Sequence, residues 1–198
     1  MVKLYAVELF YKGDKVNALK SAHDLQSFSY FQRSTVKEFM IFTGHTIVER
    51  SSRTSRSSVK EQDYMCHVYV AASGVAGVAV CDKDYPQRVA FNLLNKLVDE
   101  FAAEVAPATY TSTDPSAYTF EKCATYLEKY QNPNEADPMM KVQTELDETK
   151  VIVYDTIEKV LQRGEKLDDL VAKSEHLGTT SKAFAKTAKK TNACCSYV

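Results

Sequence analysis

The sequence predicts an α+β domain followed, after a short linker, by one long coiled-coil helix. Three observations point there. Strand-like and helix-like patterns alternate over residues 2–130, a polar stretch with two prolines follows, and a seven-residue apolar repeat runs from there toward the C-terminus. A chain of 198 residues accommodates one domain of about 100–150 residues plus an extension. The hydrophobic share of 44% and the charged share of 26% exclude a disordered or membrane-embedded chain. A net charge of -1 gives no general attraction to nucleic acid, so no nucleic-acid partner is expected.

Taken in order, the first ten residues form an apolar stretch broken by Glu8, with no small-residue cleavage site of a secretory signal, and read as a strand. Val2 to Tyr11 and Val16 to Leu25 flank the polar, Gly-containing Lys12-Gly13-Asp14-Lys15, which suits a hairpin turn. Thr35-Val36-Lys37-Glu38 fits a capping box and predicts a helix starting there. The β-rich stretches near Ser57 to Gln62, Tyr64 to Ala71 and Val75 to Asp82 add three strands, making five. After Tyr85-Pro86, Val89, Leu93, Leu94, Leu97, Val98 and Phe101 recur at helical spacing and predict a second long helix. Pro107 and Pro115 bracket a polar loop, and Tyr118 to Tyr130 predicts a shorter third helix. The expected division is 1–131 for the domain, 132–137 for the linker, 138–192 for the coiled-coil motif and 193–198 for a tail. Asp137 and Pro138 suit the cap and first turn of the last helix.

Beyond the linker, alternating steps of three and four select Met139, Val142, Leu146, Thr149, Val153, Thr156, Val160, Arg163, Leu167, Leu170, Ser174, Leu177, Ser181, Phe184, Ala188 and Thr191. This is the a/d seam of a coiled coil, too narrow and too long for a helix that merely packs on a globular core. Burying one Leu or Val is worth roughly 1.5–3 kcal/mol, so the seam holds a large reservoir of association energy. Arg163 interrupts it between Val160 and Leu167. A buried guanidinium is costly unless acceptors face it, and two facing arginines would repel in a parallel homodimer; a hetero-oligomer with neutral amide groups opposite is favoured. Small Ser174, Ser181 and Ala188 weaken a homodimeric seam, and Gly164 lowers helicity, so the isolated helix should form poorly and fold on binding.

Leu146-Asp147-Glu148-Thr149-Lys150, the central run from Val160 to Leu170, and Cys194-Cys195 resemble the R-SNARE motif of the YKT-six class of lipid-anchored R-SNAREs. Tyr30-Phe31-Gln32-Arg33 and Val59-Lys60-Glu61-Gln62-Asp63-Tyr64 resemble the longin domain of the same class. The resemblance implies a profilin-like, five-stranded antiparallel sheet sandwiched by helices. It also implies zippering with three Q-SNARE helices around Arg163 as ionic zero layer, and fusion of vesicles with membranes. The implied traffic is ER–Golgi, endosomal or vacuolar, and autophagic. It further implies cycling between a closed cytosolic form and a lipid-anchored form on the cytoplasmic face of Golgi, ER-derived vesicle, endosomal, vacuolar or autophagosomal membranes.

Nowhere does the chain contain the run of about 18 apolar residues that a membrane-spanning helix needs, so attachment is expected to be peripheral or covalent. Cys195-Ser196-Tyr197-Val198 fits the C-a-a-X prenylation pattern. Cys195 is the prenyl site, farnesyl and geranylgeranyl both remaining open, and Cys194 a site for palmitoyl or a second prenyl group. One lipid chain binds membranes only marginally, so a second matters. Lys182, Lys186, Lys189 and Lys190, with no acidic residue after Glu175, add attraction to anionic lipid. No other cofactor is expected. Cys66, Cys81 and Cys123 read as structural, reduced thiols.

In the first long helix, Val36, Phe39, Met40, Thr43 and Ile47 share the stripe expected to face the sheet, leaving Phe42, with Ile41 and Val48, for a second, regulatory surface. By the longin resemblance, this surface would hold the SNARE helix or the lipid tail within the same chain. Phosphate on Ser174 or Ser181 would block zippering. The rival classes are a longin-domain trafficking adaptor, which has no need of a seam centred on Arg163, and a lipid-handling or acyl-transfer protein. No catalytic or metal motif is present, and Cys66 and His67, adjacent on a strand, would point to opposite faces.

Overall fold

The computed structural model describes residues 2–112, 118–136, 150–183 and 185. Its opening hairpin joins β1 (Leu4–Lys12) to β2 (Val16–His23) across the expected turn. There follow α1 (Arg33–Arg50), the meander β3 (Ser55–Glu61), β4 (Tyr64–Val70) and β5 (Val75–Asp82), then α2 (Gln87–Glu104) and α3 (Lys122–Lys129). One helical turn, α4 (Pro133–Ala136), occupies the expected linker and is held to the domain, since Ala136 is buried in its core. Gln131, just before it, brackets the backbone of Leu4 with both side-chain amide atoms.

The sheet runs β2-β1-β5-β4-β3-β6. Its first five strands pair antiparallel, as expected. Helices cover both faces, so the central strands are apolar nearly throughout; every residue of β5 from Val75 to Cys81 is buried. On one face, Leu93, Leu94, Leu97 and Phe101 of α2 and Cys123, Tyr126 and Leu127 of α3 pack on Leu4, Val7 and Leu9. On the other, Met40, Ile47 and Val48 of α1 pack on Phe10, Val59, Val68 and Val78. Gly77 lets α2 come close: a Cβ there would lie 3.1 Å from both Leu94 and Val98.

Three expectations are corrected. The first helix starts at Arg33 rather than Thr35, and no side chain caps it; Thr35 is buried and Glu38 is engaged elsewhere, so the capping box is not formed. The third helix is shorter than Tyr118–Tyr130. The largest correction concerns the C-terminal motif, which is not one long helix. Val151–Tyr154 forms a sixth strand, β6, parallel to β3, with Arg56 opposite Val151 and Val59 opposite Tyr154. A 3-10 turn at Ile157–Val160, a bend at Gly164 and α5 (Leu167–Lys173) follow, and residues 179–183 are again helical. Without partner helices, the apolar side chains of this segment find their burial on the domain of the same chain.

Candidate functional site

The candidate site is the interface between this C-terminal segment and the domain. α1 builds most of it because, at about 100° per residue, its apolar residues fall on two faces. Met40, Ile47 and Val48 turn to the sheet, and Ile41 packs partly on the same cluster. Phe42 points away and forms a separate cluster with Val171 and Leu177, edged by Phe39, Leu167, Leu170 and Ala185. Phe42, Val171 and Leu177 are each 3–6% exposed, so this small cluster is buried in its own right. The second surface of α1 thus consists of Phe42 with Phe39. Ile41 and Val48, expected beside Phe42, belong to the sheet side, because six residues of helix leave Val48 about 120° around the axis from Phe42.

Alongside, Ile157 drops into a groove between α1 and the β3–β4 edge. A cavity of about 270 Å³ remains there, lined by Val36, Phe39, Met40, Val59, Cys66 and Ile157 among others. It adjoins a hollow of about 570 Å³ that reaches Phe42, Leu167, Val171 and Ala185. The two share Phe39, Thr43, Glu61, Tyr64 and Ile157, so they lie side by side along α1 against the docked segment.

Polar contacts fix the register of docking. Arg50, at the C-terminal end of α1, donates from Nε to Glu165 Oε2 at 3.0 Å and from Nη2 to Glu165 Oε1 at 2.9 Å. Glu165 also accepts from its own Gln162 N–H, and the Arg50 bond, chiefly, holds its carboxyl below the usual range. Glu38 accepts the Gly178 N–H at 2.7 Å, and this bond likewise keeps the Glu38 carboxyl ionised at lower pH than usual. Glu61 accepts the Ile157 N–H at 3.3 Å. The imidazoles of His45 and His176 face one another with centroids 4.5 Å apart.

The seam residues do not lie along one line here. Val153 is 61% exposed; Thr156 and Arg163 are exposed too. Val160 and Leu167 rest half-buried against the α1 side of the sheet, Leu170 against Phe42, and Ser174 is half-buried. Leu177 and Ser181 are buried. Met139, Val142, Leu146, Thr149, Phe184, Ala188, Thr191, Cys194 and Cys195 lie outside the described residues. Gly164 adopts φ +93°, a conformation unavailable within an α-helix, so the bend sits one residue after Arg163.

Sequence reasoning missed Tyr154, Ile157 and Val171, whose side chains do much of the docking. A signal for two of them existed. Ile157, Val171 and Ala185 recur two heptads apart, each one position past a seam residue, and so make a second apolar stripe beside the first.

Cys66 and His67 do face opposite ways. Cys66 lies in the α1-side cluster, where burial pushes its thiol well up, while His67 meets the Phe91 ring of α2 edge-on and bonds Ser58 Oγ through Nδ1 at 2.8 Å. Burial lowers His67 to about 4. Neither offers a nucleophile and base in contact. Among the described residues, no group of three or more His, Cys, Asp or Glu is placed to hold a metal ion, and no helix is long and apolar enough to cross a membrane.

Comparison with known proteins gives the same two-part division. The regulated-SNARE-like longin domain family matches residues 25–127, and the synaptobrevin family matches residues 138–195. The chain is similar to the synaptobrevin homolog ykt6 of Schizosaccharomyces pombe, at 48% identity over 98% of each chain. It is similar also to the synaptobrevin homolog YKT6 of Saccharomyces cerevisiae and that of Eremothecium gossypii, each at 45% identity over 98% of both chains.

Proposed function

This chain belongs to the longin-domain R-SNAREs of the Ykt6 class, and on that premise we propose that the docked arrangement is its closed, assembly-incompetent state. Members of this family act in vesicle traffic by bundling with other SNARE helices rather than by catalysis. In the proposed working form, the segment leaves the domain, straightens into one helix and zips with three Q-SNARE helices. Arg163 then forms the zero layer, Val160 and Leu167 its flanking layers, and membrane fusion follows.

One observation supports the closed-state reading above others. The same stretch that supplies the seam is bent at Gly164 and tied to α1 and β3, with Arg163 left in solvent. A zippered helix requires Gly164 helical and the seam in line, so docking and zippering exclude each other. Cys195 would carry the prenyl group, farnesyl or geranylgeranyl, and Cys194 a palmitoyl or second prenyl group. The chain would then move between cytosol and the cytoplasmic face of Golgi, ER-derived, endosomal, vacuolar or autophagosomal membranes. The apolar cavity beside Ile157 suits the folded-back lipid tail in the cytosolic form, since it is lined almost wholly by hydrocarbon.

The test mixes the full chain with three glutamine-type SNARE helices. The expected product is a thermally resistant complex, formed faster when the docked segment is released by Phe42→Glu and less stable with Arg163→Ala. Failure to assemble with any such set, whether or not Phe42 is changed, would remove the reading.

A further inference from the structure

His45 on α1 and His176 in the docked segment meet with ring planes inclined at 51° and centroids 4.5 Å apart, both rings half-buried. His45 Nε2 lies 3.1 Å from the carbonyl oxygen of Val16. A carbonyl only accepts, so Nε2 carries the hydrogen and donates it. Neutral His45 therefore keeps its lone pair on Nδ1, and the added proton of an acidified medium goes there.

The surroundings do not favour two cations. Around the pair, α1 contributes Glu49 and Arg50, the β1–β2 hairpin Lys12, Asp14 and Lys15, and the docked segment Glu175. Acidic and basic groups are balanced, and several are already engaged: Lys12 Nζ donates to the carbonyls of Val48 and Glu49, and Arg50 is shared by Glu49 and Glu165. A single added charge can be faced by a carboxylate such as Glu49 or Glu175. A second puts two imidazolium charges in contact with no surplus of acid to offset them.

We propose that His45 and His176 form a proton-operated latch on the closed form. The segment stays on α1 while at most one ring is charged, and double protonation drives it off, freeing the motif for assembly. This inference rests on the closed-state reading above and adds the condition that ends it. Burial first, and the neighbouring His176 second, hold His45 below its usual range. A ring whose pKa is lower docked than undocked contributes stability that is full above the ordinary histidine value of about 6.5 and is lost as pH falls through the docked value. The other polar ties stay as they are in this window, because Glu38 and Glu165 are held below the usual carboxylate range.

The experiment is hydrogen exchange on the full chain, corrected for intrinsic rate, at about pH 7.5 and about pH 5.5, on either side of the histidine range. Amides of 167–183 are expected to open roughly tenfold or more faster at the lower pH, the response to one pKa unit of coupling, while α2 keeps its protection. The double variant His45→Gln with His176→Gln is expected to stay docked and to lose the step. If the unmodified chain at the higher pH is no better protected over 167–183 than Arg50→Ala, the closed-state reading itself fails. If it is protected equally at both values, or the double variant keeps the step, the latch is wrong while docking stands. Should the double variant fail to dock, ring chemical shifts of the unmodified chain decide. Titration of His45 and His176 at the pH of opening upholds the latch, and opening without it overturns the latch.

Discussion

Arg50 grips both carboxylate oxygens of Glu165, two residues past Arg163, in a bidentate fork with N–O distances of 3.0 and 2.9 Å. The Arg50 side chain is 7% exposed, and it holds the end of α1 to the bend that keeps the motif from becoming one helix. Charge-assisted bonds of this shape depend on both partners. Arg50→Ala and Glu165→Gln are each expected to raise protease cleavage within 161–173, and the double variant to do little more than either alone. A thermodynamic cycle on cleavage rates measures this coupling. Added salt is expected to act in the same direction, since Glu165 is partly exposed.

Phe42 and Val48 separate docking from folding, though they share a helix. Phe42→Ala empties the centre of the small cluster with Val171 and Leu177 and is expected to cost docking about 3 kcal/mol, the low end for buried Phe. The domain should keep its melting temperature to within a few degrees. Val48→Ala, by contrast, acts in the sheet-side core and is expected to lower the melting of the domain itself. Thermal unfolding of residues 1–136 beside exchange of 167–183 in the full chain distinguishes the two.

The domain was legible because its signals are local and agree with one another. Lys12-Gly13-Asp14-Lys15 marked the first hairpin, and every apolar residue that defined the second helix, from Val89 to Phe101, is buried on the sheet. Phe42 likewise stood out from its stripe. The docked path was not legible for two reasons. Val151-Ile152-Val153-Tyr154 is β-prone yet lies within a heptad repeat, and its partner, the edge of β3, is about 95 residues upstream, where no periodicity reaches. The heptads moreover describe a bundle with other chains, so the same residues serve two burial schemes, of which the periodicity carries only one.

Glu38 contributes a pH dependence distinct from that of the histidines. Its carboxyl is held low chiefly by the Gly178 N–H, with burial opposing and Ser181 and Ser34 assisting. An acid with a depressed docked pKa stabilises docking fully above its undocked value of about 4.3, and that support fades as pH falls through the docked value. Anchoring of 177–183 is therefore expected to weaken below about pH 4.3, and Glu38→Gln to remove that acid limb. Backbone amide shifts of Gly178 across an acid titration report it.

Gly164 bears on both conformations at once. At φ +93° an alanine costs about 1–2 kcal/mol in the docked form, with no clash because nothing lies within 4 Å of the added Cβ. In the straight helix the same change gains about 1 kcal/mol. Gly164→Ala is expected to shift the balance toward the helix by about 2–3 kcal/mol in total. Circular dichroism should show more helix in the free chain, and assembly with glutamine-type SNARE helices should accelerate. Unchanged helicity and rate would mean that the bend does not limit opening.

Ile157 offers the sharpest separation, because it belongs to the docked scheme and not to the seam. It is 7% exposed in the groove between α1 and β3, whereas its neighbour Thr156, the seam residue, is exposed there. In a bundle built on the seam, Thr156 turns inward and Ile157 lies beside the layer, where its loss costs little. Ile157→Ala is expected to weaken docking by about 2–4 kcal/mol, as for a buried Ile truncated in a core. Assembly with glutamine-type SNARE helices should become faster while melting of the finished bundle stays nearly unchanged. Val160→Ala makes the converse case: Val160 is half-buried when docked, the proposed bundle would enclose it fully, and its loss should lower bundle melting more than it speeds assembly. If both substitutions lowered bundle melting alike, the second apolar stripe would belong to the bundle and not to the closed form.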